Sequence, residues 1–566
     1  MVIKLADNIY SPLGATTWEN YRAVMDGRTA LRQYALPDGS KYTASLFPEE
    51  HRRDDGYTLF EQLCIVSASD AIARADIDPA SPRCRFFLST TKGNVHLLAK
   101  GDTISSARTP GRALLGTSAN IICRHFGNPN PPVVVSNACI SGLSAQIVAM
   151  RSIEAGLCDT AVVIGCDVQS EFIISGFQCL HALSPDACRP FDKDRCGLNL
   201  GEAAATIVYA NSQQKSAGHR PTLHSQLRWQ AVCGAMCNDA NHISGPSRTG
   251  EGSYRCLQAL DIDKEELAFV SVHGTSTLYN DEMESIALDR AGLADVPLFS
   301  LKGIYGHTMG AAGVLETILS MQAVEHGLVF GTRGFESLGV SRQVNVSTET
   351  RTTDKQSFVK LLSGFGGCNA AMKFRLTEDT SSTSATSPTS FTSLPSLRLS
   401  PTAEELVELY RSEVGDYPKF FKMDPLSRLG FMATELMKKQ APKADYGVLL
   451  FNRSSSMADD LAFQATIQDK DNWFPSPALF VYTLPNIVTG EIAIRNHYQT
   501  ETNFMVLDAP RHDIMAEQIA LAAQHCPQIA GWCEVDADGH YLAALVAVPQ
   551  GTPKETIEKE LYTLLK

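Results

Sequence analysis

The sequence predicts an α/β fold whose sheet is covered on both faces, followed by a second, smaller α/β unit. Three observations carry this. Apolar runs of strand length, at residues 86–88, 133–135 and 161–164, alternate with stretches at helical spacing. The chain has 566 residues, more than one ordinary core accommodates. Composition changes abruptly over residues 377–400, which are mostly Ser, Thr and Pro and cannot bury a core. That segment reads as a flexible linker between a domain at 1–376 and a unit at 401–566.

In chain order, residues 11–14 (Ser-Pro-Leu-Gly) form a turn, and Thr17 opens a helix running to about Gly27. A second helix covers 57–75. Residues 85–89 are a strand, with a loop at 90–93, and a further helix ends at Phe126. Val133, Val134 and Val135 read as a buried strand. Leu143, Ile147, Met150, Ile153 and Leu157 then recur at helical spacing. Cys139 therefore sits where a core strand turns into a helix. Unpaired N–H groups and the positive helix end would both favour thiolate there. A small buried thiol is the plainer alternative. Residues 160–166 form another apolar strand. A charged loop from Cys188 opens into a small-residue strand at 203–209, and a second α/β set runs over 267–374. Beyond the linker come a helix at 402–412, a strand at 446–451, an apolar segment after Ser476-Pro477, a strand at 503–507, a helix at 513–525 and a strand at 541–548. This order repeats that of residues 85–166. Residues 504–510 can be laid over 133–139, with Pro510 on Cys139, so the repeat lacks the thiol.

Hydrophobic content of 44% and charged content of 20% are those of a globular protein. No apolar run approaches the roughly 18–20 residues of a membrane-spanning helix. No signal peptide is expected from the first residues. Fifteen cysteines without paired metal spacing fit a reducing cytoplasm, and no metal or resident cofactor is expected. A net charge of −13 disfavours nucleic acid as a partner.

Further stretches carry chemistry in combination. His273-Gly274-Thr275-Ser276-Thr277 ends a strand. Lys302 is followed five residues later by His307, and Glu316 lies in the helix that begins near Gly310. Gly364-Phe365-Gly366-Gly367 is a turn around one aromatic. Each alone has an ordinary explanation: a capping histidine, a solvated lysine, a turn needing positive φ. Together with Asn137-Ala138-Cys139, the run at 188–195 (Cys-Arg-Pro-Phe-Asp-Lys-Asp-Arg) and Gly310-Ala311-Ala312-Gly313, they resemble the β-ketoacyl-acyl-carrier-protein synthases of the thiolase superfamily, elongating type. The resemblance covers about 1–376. It implies a thiolase-like five-layered αβαβα sandwich and a decarboxylative condensation of an acyl thioester with malonyl-acyl-carrier protein. It also implies roles. Cys139 would carry the acyl group. The N–H groups of Cys139 and Phe365 would form the oxyanion hole, with Phe365 as a gate. His273 and His307 would stabilise the enolate. Lys302 would set the environment of His307, with Glu316 as structural support. Thr275 and Thr277 would contact a pantetheine arm that arrives on the carrier. The sequence departs from the family at the amino terminus and at Ser363, where phenylalanine is usual.

The 401–566 unit resembles half of a ketosynthase or chain-length factor, through Ser476-Pro477-Ala478-Leu479-Phe480, Leu484-Pro485-Asn486 and Gly490-Glu491-Ile492. Such half-size partners accompany aryl-polyene-type ketosynthases. The resemblance implies a catalytically dead half that completes a pseudo-dimer within one chain, a homodimer being the other arrangement. A non-catalytic chain-length-factor-like scaffold is the alternative function. A thiolase is disfavoured, since it would need a second catalytic cysteine, and although Cys368 stands near the expected place, two histidines are the synthase pattern.

Overall fold

Val133, Val134 and Val135 are buried and form the short strand Val133–Val135 inside a sheet of sixteen strands. The computed structural model describes residues 1–36, 39–48, 56–100, 111–212, 227–378 and 394–566, and the strand count is of these residues.

In the first domain the strands form two groups. One runs Val133–Val135, Cys84–Ser89, Thr160–Asp167, Ala203–Asn211, Val2–Tyr10. The other runs Leu227–Asn238, Cys368–Glu378, Ser357–Gly364, Leu267–Ser271, Pro297–Phe299, Asn345–Val346. A two-residue pairing, Val2 with Ala231 and Ile3 with Gln230, joins them. The helices Ser141–Glu154 and Ala312–Glu325 contact both groups, so they form a middle layer. Leu59–Ala75 covers the outer face of the first group and Glu251–Gln258 that of the second. The result is the expected five-layered α/β sandwich. The two middle helices can cross closely because a Cβ on Gly313 would lie 2.3 Å from the Leu143 nitrogen, which glycine alone avoids.

Residues beyond 394 continue the same sheet. Outward from Val133–Val135 come Cys84–Ser89, Thr160–Asp167, Ala203–Asn211 and Val2–Tyr10. Outward on the other side, after Thr502–Val506, come Gly447–Asn452, Gln528–Val535, Tyr541–Val548 and Ser396–Leu399. Parallel and antiparallel steps follow the same sequence on both sides. The two halves meet antiparallel, Val135 opposite Met505 and Val134 opposite Val506. With residues 504–510 laid over 133–139, this register is reciprocal, as in a contact between two copies related by a two-fold axis.

Both large apolar cores draw on the two units: Ile147 shares one with Met515, and Val134 shares the other with Phe504. Buried or half-buried ion pairs cross as well, Arg151–Glu501 at 2.9 Å, Arg85–Glu517 at 2.5 Å and Lys92–Asp460 at 2.5 Å. Residues 401–566 are thus not a separate bead on a tether.

Several boundaries differ from expectation. The linker at 377–400 is cut at both ends: Cys368–Glu378 extends into it, and Ser396–Leu399 pairs with Tyr541–Val548. Four residues were hidden there because their Ser and Arg match the polar run beside them. Residues 379–393 lie outside the described residues. The strands Val2–Tyr10, Leu227–Asn238 and Gln528–Val535 were not anticipated. The first has burial that does not alternate, so it lacks the period-two signal. The apolar segment after Ser476-Pro477 is two helices, Pro477–Tyr482 and Ile487–Asn496. No described helix is long and apolar enough to cross a membrane.

Candidate active site

The elbow that carries the cysteine is strained. Ala138 has φ of 47°, a left-handed conformation that costs a non-glycine residue roughly 1–2 kcal/mol. It sits between Val133–Val135 and Ser141–Glu154, and Ser141 Oγ accepts from the Asn137 N–H at 2.8 Å while donating to the Ala138 carbonyl at 2.6 Å. These bonds pin the turn and present Cys139, half-buried, to a cavity of about 360 Å³. The cavity wall also includes His273, Thr275, Thr277, His307 and Phe365. The residues singled out from the sequence thus converge, although up to 226 positions separate them.

The expected thiolate is not what the surroundings favour. Burial pushes the Cys139 thiol up to about 12, while the Lys302 charge and the backbone N–H at Cys139 pull it down and Asp167 adds to the rise. Desolvation outweighs the Lys302 charge and the backbone N–H.

His273 follows Leu267–Ser271. Its backbone N–H donates to Glu284 Oε1 at 2.6 Å, and the Gly274 N–H donates to Glu284 Oε2 at 2.7 Å. His307 is fixed by its own N–H, which donates to the Asn199 carbonyl at 2.7 Å. The Met309 N–H donates to His307 Nδ1 at 3.2 Å. That nitrogen is therefore the acceptor, and Nε2 carries the proton. Among the described residues, the buried Nε2 has no hydrogen-bond partner, and neither does His273 Nδ1. The two rings stand 5.1 Å apart at 83°. Burial, reinforced by Lys302 and Lys360, holds both imidazoles well below the ordinary histidine range, so both are neutral.

Lys302 is fully buried rather than solvated. Its Nζ pairs with Glu316 Oε1 at 2.5 Å, and Lys360 pairs with Glu316 Oε2 at 2.7 Å. Burial alone would raise the Glu316 carboxyl, but the two lysines hold it below its ordinary value. One carboxylate thus faces two lysines behind the histidines, and burial lowers the Lys360 ammonium to about 8. Thr275 and Thr277 hydroxyls lie 2.9 Å apart in the cavity wall. The Gly364–Gly367 turn passes over the elbow: a Cβ on Gly364 would lie 3.2 Å from the Cys139 nitrogen. Phe365 stacks on Phe177 at 6.2 Å.

Sulfur of Cys139 and one nitrogen from each histidine lie within 4.8 Å of one another, a spacing a metal ion could use. The His307 tautomer opposes it, since Nε2 is a donor here. Cys368 lines the same cavity, but burial raises its thiol well above the ordinary range. It lies 3.2 Å from the Phe365 carbonyl and 3.7 Å from that of Asn137. It packs beneath the turn. Sequence reasoning missed Lys360, Glu284 and Asp167. Lys360 was signalled by a charge inside the apolar run 358–362. Asp167 is buried and accepts from Thr90 Oγ1 at 2.7 Å and the Gly310 N–H at 2.7 Å, tying the loop after one strand to the helix start that follows His307.

Comparison with known proteins agrees with this geometry. Residues 8–214 match the family "Beta-ketoacyl synthase, N-terminal domain", and residues 231–336 match "Beta-ketoacyl synthase, C-terminal domain". The tetracenomycin polyketide synthase ketoacyl synthase alpha subunit of Streptomyces glaucescens is 28% identical over 425 residues, covering 66% of this chain and 96% of that protein. The 3-oxoacyl-[acyl-carrier-protein] synthase 2 of Rhizobium meliloti is 27% identical, covering 66% and 98%. Among solved structures, the ketosynthase ApeO in complex with its chain length factor ApeC, from Xenorhabdus doucetiae, matches 66% of this chain and 98% of that one, at 23% identity and a TM-score of 0.54. The PfaC keto synthase-chain length factor matches 97% of this chain and 78% of that one, at 14% identity and a TM-score of 0.72, so its fold extends to residues past 394. With a strained cysteine elbow, two neutral histidines and a glycine-rich turn closing one cavity, and both halves of the family matched in order, this chain belongs to the β-ketoacyl synthases, acyltransferase enzymes of the thiolase-like fold.

Proposed function

We propose that the enzyme condenses an acyl thioester with malonyl-acyl-carrier protein, releasing carbon dioxide and 3-oxoacyl-acyl-carrier protein. The observation that carries this is His307: its Nδ1 is occupied by the Met309 N–H, so Nε2–H is left unpartnered in the cavity wall near Cys139.

Cys139 sulfur attacks the acyl carbonyl. The developing oxyanion is held by the N–H groups of Cys139 and Phe365, and the carrier leaves as a thiol with the cysteine proton. Malonyl-carrier then enters with its pantetheine along Thr275 and Thr277. Loss of carbon dioxide leaves an electron pair as an enolate. Its oxygen accepts from His307 Nε2–H and His273, neutral donors that give a hydrogen bond without taking a proton. The enolate carbon attacks the acyl thioester, Cys139 departs, and its sulfur takes a proton from solvent. No resident cofactor enters, because pantetheine travels on the carrier.

Residues past 394 act as a half-ketosynthase, chain-length-factor-like partner in an aryl-polyene-type arrangement, completing an intramolecular pseudo-dimer. Support comes from Phe480, whose ring occupies the place of a side chain at Gly176 and lies 5.4 Å from Phe177, the residue stacked on Phe365. It would close the far end of the acyl channel.

Intact-mass spectrometry after mixing with acyl-carrier thioester, then malonyl-carrier, tests the proposal. The adduct is expected on wild type, absent from Cys139→Ala, and discharged by malonyl-carrier. No adduct with any of several acyl lengths would leave only the scaffold reading.

A further inference from the structure

Two glycines from opposite units touch at the turn that carries Phe365. A Cβ on Gly490 would lie 2.5 Å from the Gly366 carbonyl oxygen, and one on Gly366 (φ 90°) would lie 2.6 Å from Asn486 Nδ2. Asn486, fully buried just before the helix Ile487–Asn496, donates from Nδ2 to the Phe365 carbonyl at 2.7 Å and approaches Cys368 Sγ at 3.7 Å. The next carbonyl, of Gly366, accepts from Asn238 of the first domain at 2.9 Å. Consecutive carbonyls are thus held by one amide from each unit. The two units also share the elbow: Asn137 Nδ2 donates to the Thr502 carbonyl at 2.9 Å, and Asn238 Nδ2 donates to Thr502 Oγ1 at 3.0 Å.

We infer that Asn486, reaching in from the catalytically silent unit, is a positioning residue of the oxyanion hole. The inference rests on the condensing reading above, in which the Phe365 N–H is one of two oxyanion donors. Holding the Phe365 carbonyl fixes the chain direction within one residue of that N–H. Oxyanion stabilisation depends on donors already aimed at the developing charge. Among the described residues, the hydrogen bonds to the Phe365 carbonyl come from Asn486 Nδ2 of the second unit and Cys368 Sγ of the first, while Gly490 brings only backbone against the turn. The enolate donors, His273 and His307, are fixed by Glu284, Asn199 and Met309 of the first domain instead. The second unit therefore governs one half-reaction and not the other.

The full-length enzyme tests this with Asn486→Ala and, independently, Gly490→Ala, which pushes on the turn from the other contact. Two rates are read. One is single-turnover acylation of Cys139 by acyl-carrier thioester, followed by intact mass. The other is carbon dioxide release from malonyl-carrier, which uses the histidines. Acylation should fall about 10- to 100-fold, below the roughly 10²–10³ of losing an oxyanion donor outright, while decarboxylation stays within about threefold. Two unchanged rates, or two rates reduced by one common factor in both variants, would overturn the positioning role. Wild type that never acylates would overturn the condensing reading itself, a result distinguishable from either.

Discussion

At Cys139, burial pushes the thiol up while the Lys302 charge and a backbone N–H pull it down, and burial prevails. The reactive species is the thiolate. Alkylation by iodoacetamide should therefore rise about tenfold per pH unit from pH 7 to 10, with no plateau, as expected below a pKa near 12. Cys196 is exposed and lines the same cavity, so it should be labelled ahead of Cys139 near neutral pH. Peptide mapping of the label against pH checks both points, and a plateau at Cys139 below pH 9 would contradict them. The histidines behave oppositely. Their depressed pKa values keep them neutral as pH falls from 8 to 6, so decarboxylation should not lose its donors in that range. The identities of Cys139, His273 and His307 were legible in the sequence because their flanking residues are specific. Their protonation was not, because it depends on burial and on Lys360 and Asp167, which other elements bring in.

At the level of elements, the strand Thr502–Val506 carries the junction. It lies between Val133–Val135 and Gly447–Asn452, so both its edges are hydrogen-bonded. Met505→Pro removes a ladder N–H and forces a ring into an interior strand. It should destabilise the fold by about 1–3 kcal/mol from the ladder partner left unpaired alone, seen as a lowered thermal midpoint, with acylation of Cys139 lost in parallel. The strand itself was readable from its apolar run, and so was its likeness to residues 133–139. Its antiparallel partner was not, since pairing between segments about 370 positions apart leaves no local trace. Ser396–Leu399 shows the converse failure, a strand concealed by the composition around it.

Across the whole molecule, the two units are held, among the described residues, by a shared sheet, three shared apolar cores and three ion pairs, with covalent continuity between 378 and 394 as one further link. Cutting the chain within 379–393 and co-expressing the two pieces should give a complex that co-purifies and acylates at Cys139. Expressed alone, residues 1–378 would present the bare edge of Val133–Val135, an invitation to pair with a second copy or to aggregate. Recovery of each piece separately as a stable monomer, without association on mixing, would count against an interface of this kind.

The reciprocal register of Val134 and Val135 with Val506 and Met505 has a kinetic consequence. A cysteine-bearing half that borrows its opposite number from another molecule loses it on dilution, because that encounter is second order. Here the opposite number travels on the same chain at an effective concentration that dilution cannot change. Specific activity should then be flat down to nanomolar enzyme. Pro510 stands where the overlay on residues 133–139 would place a second thiol.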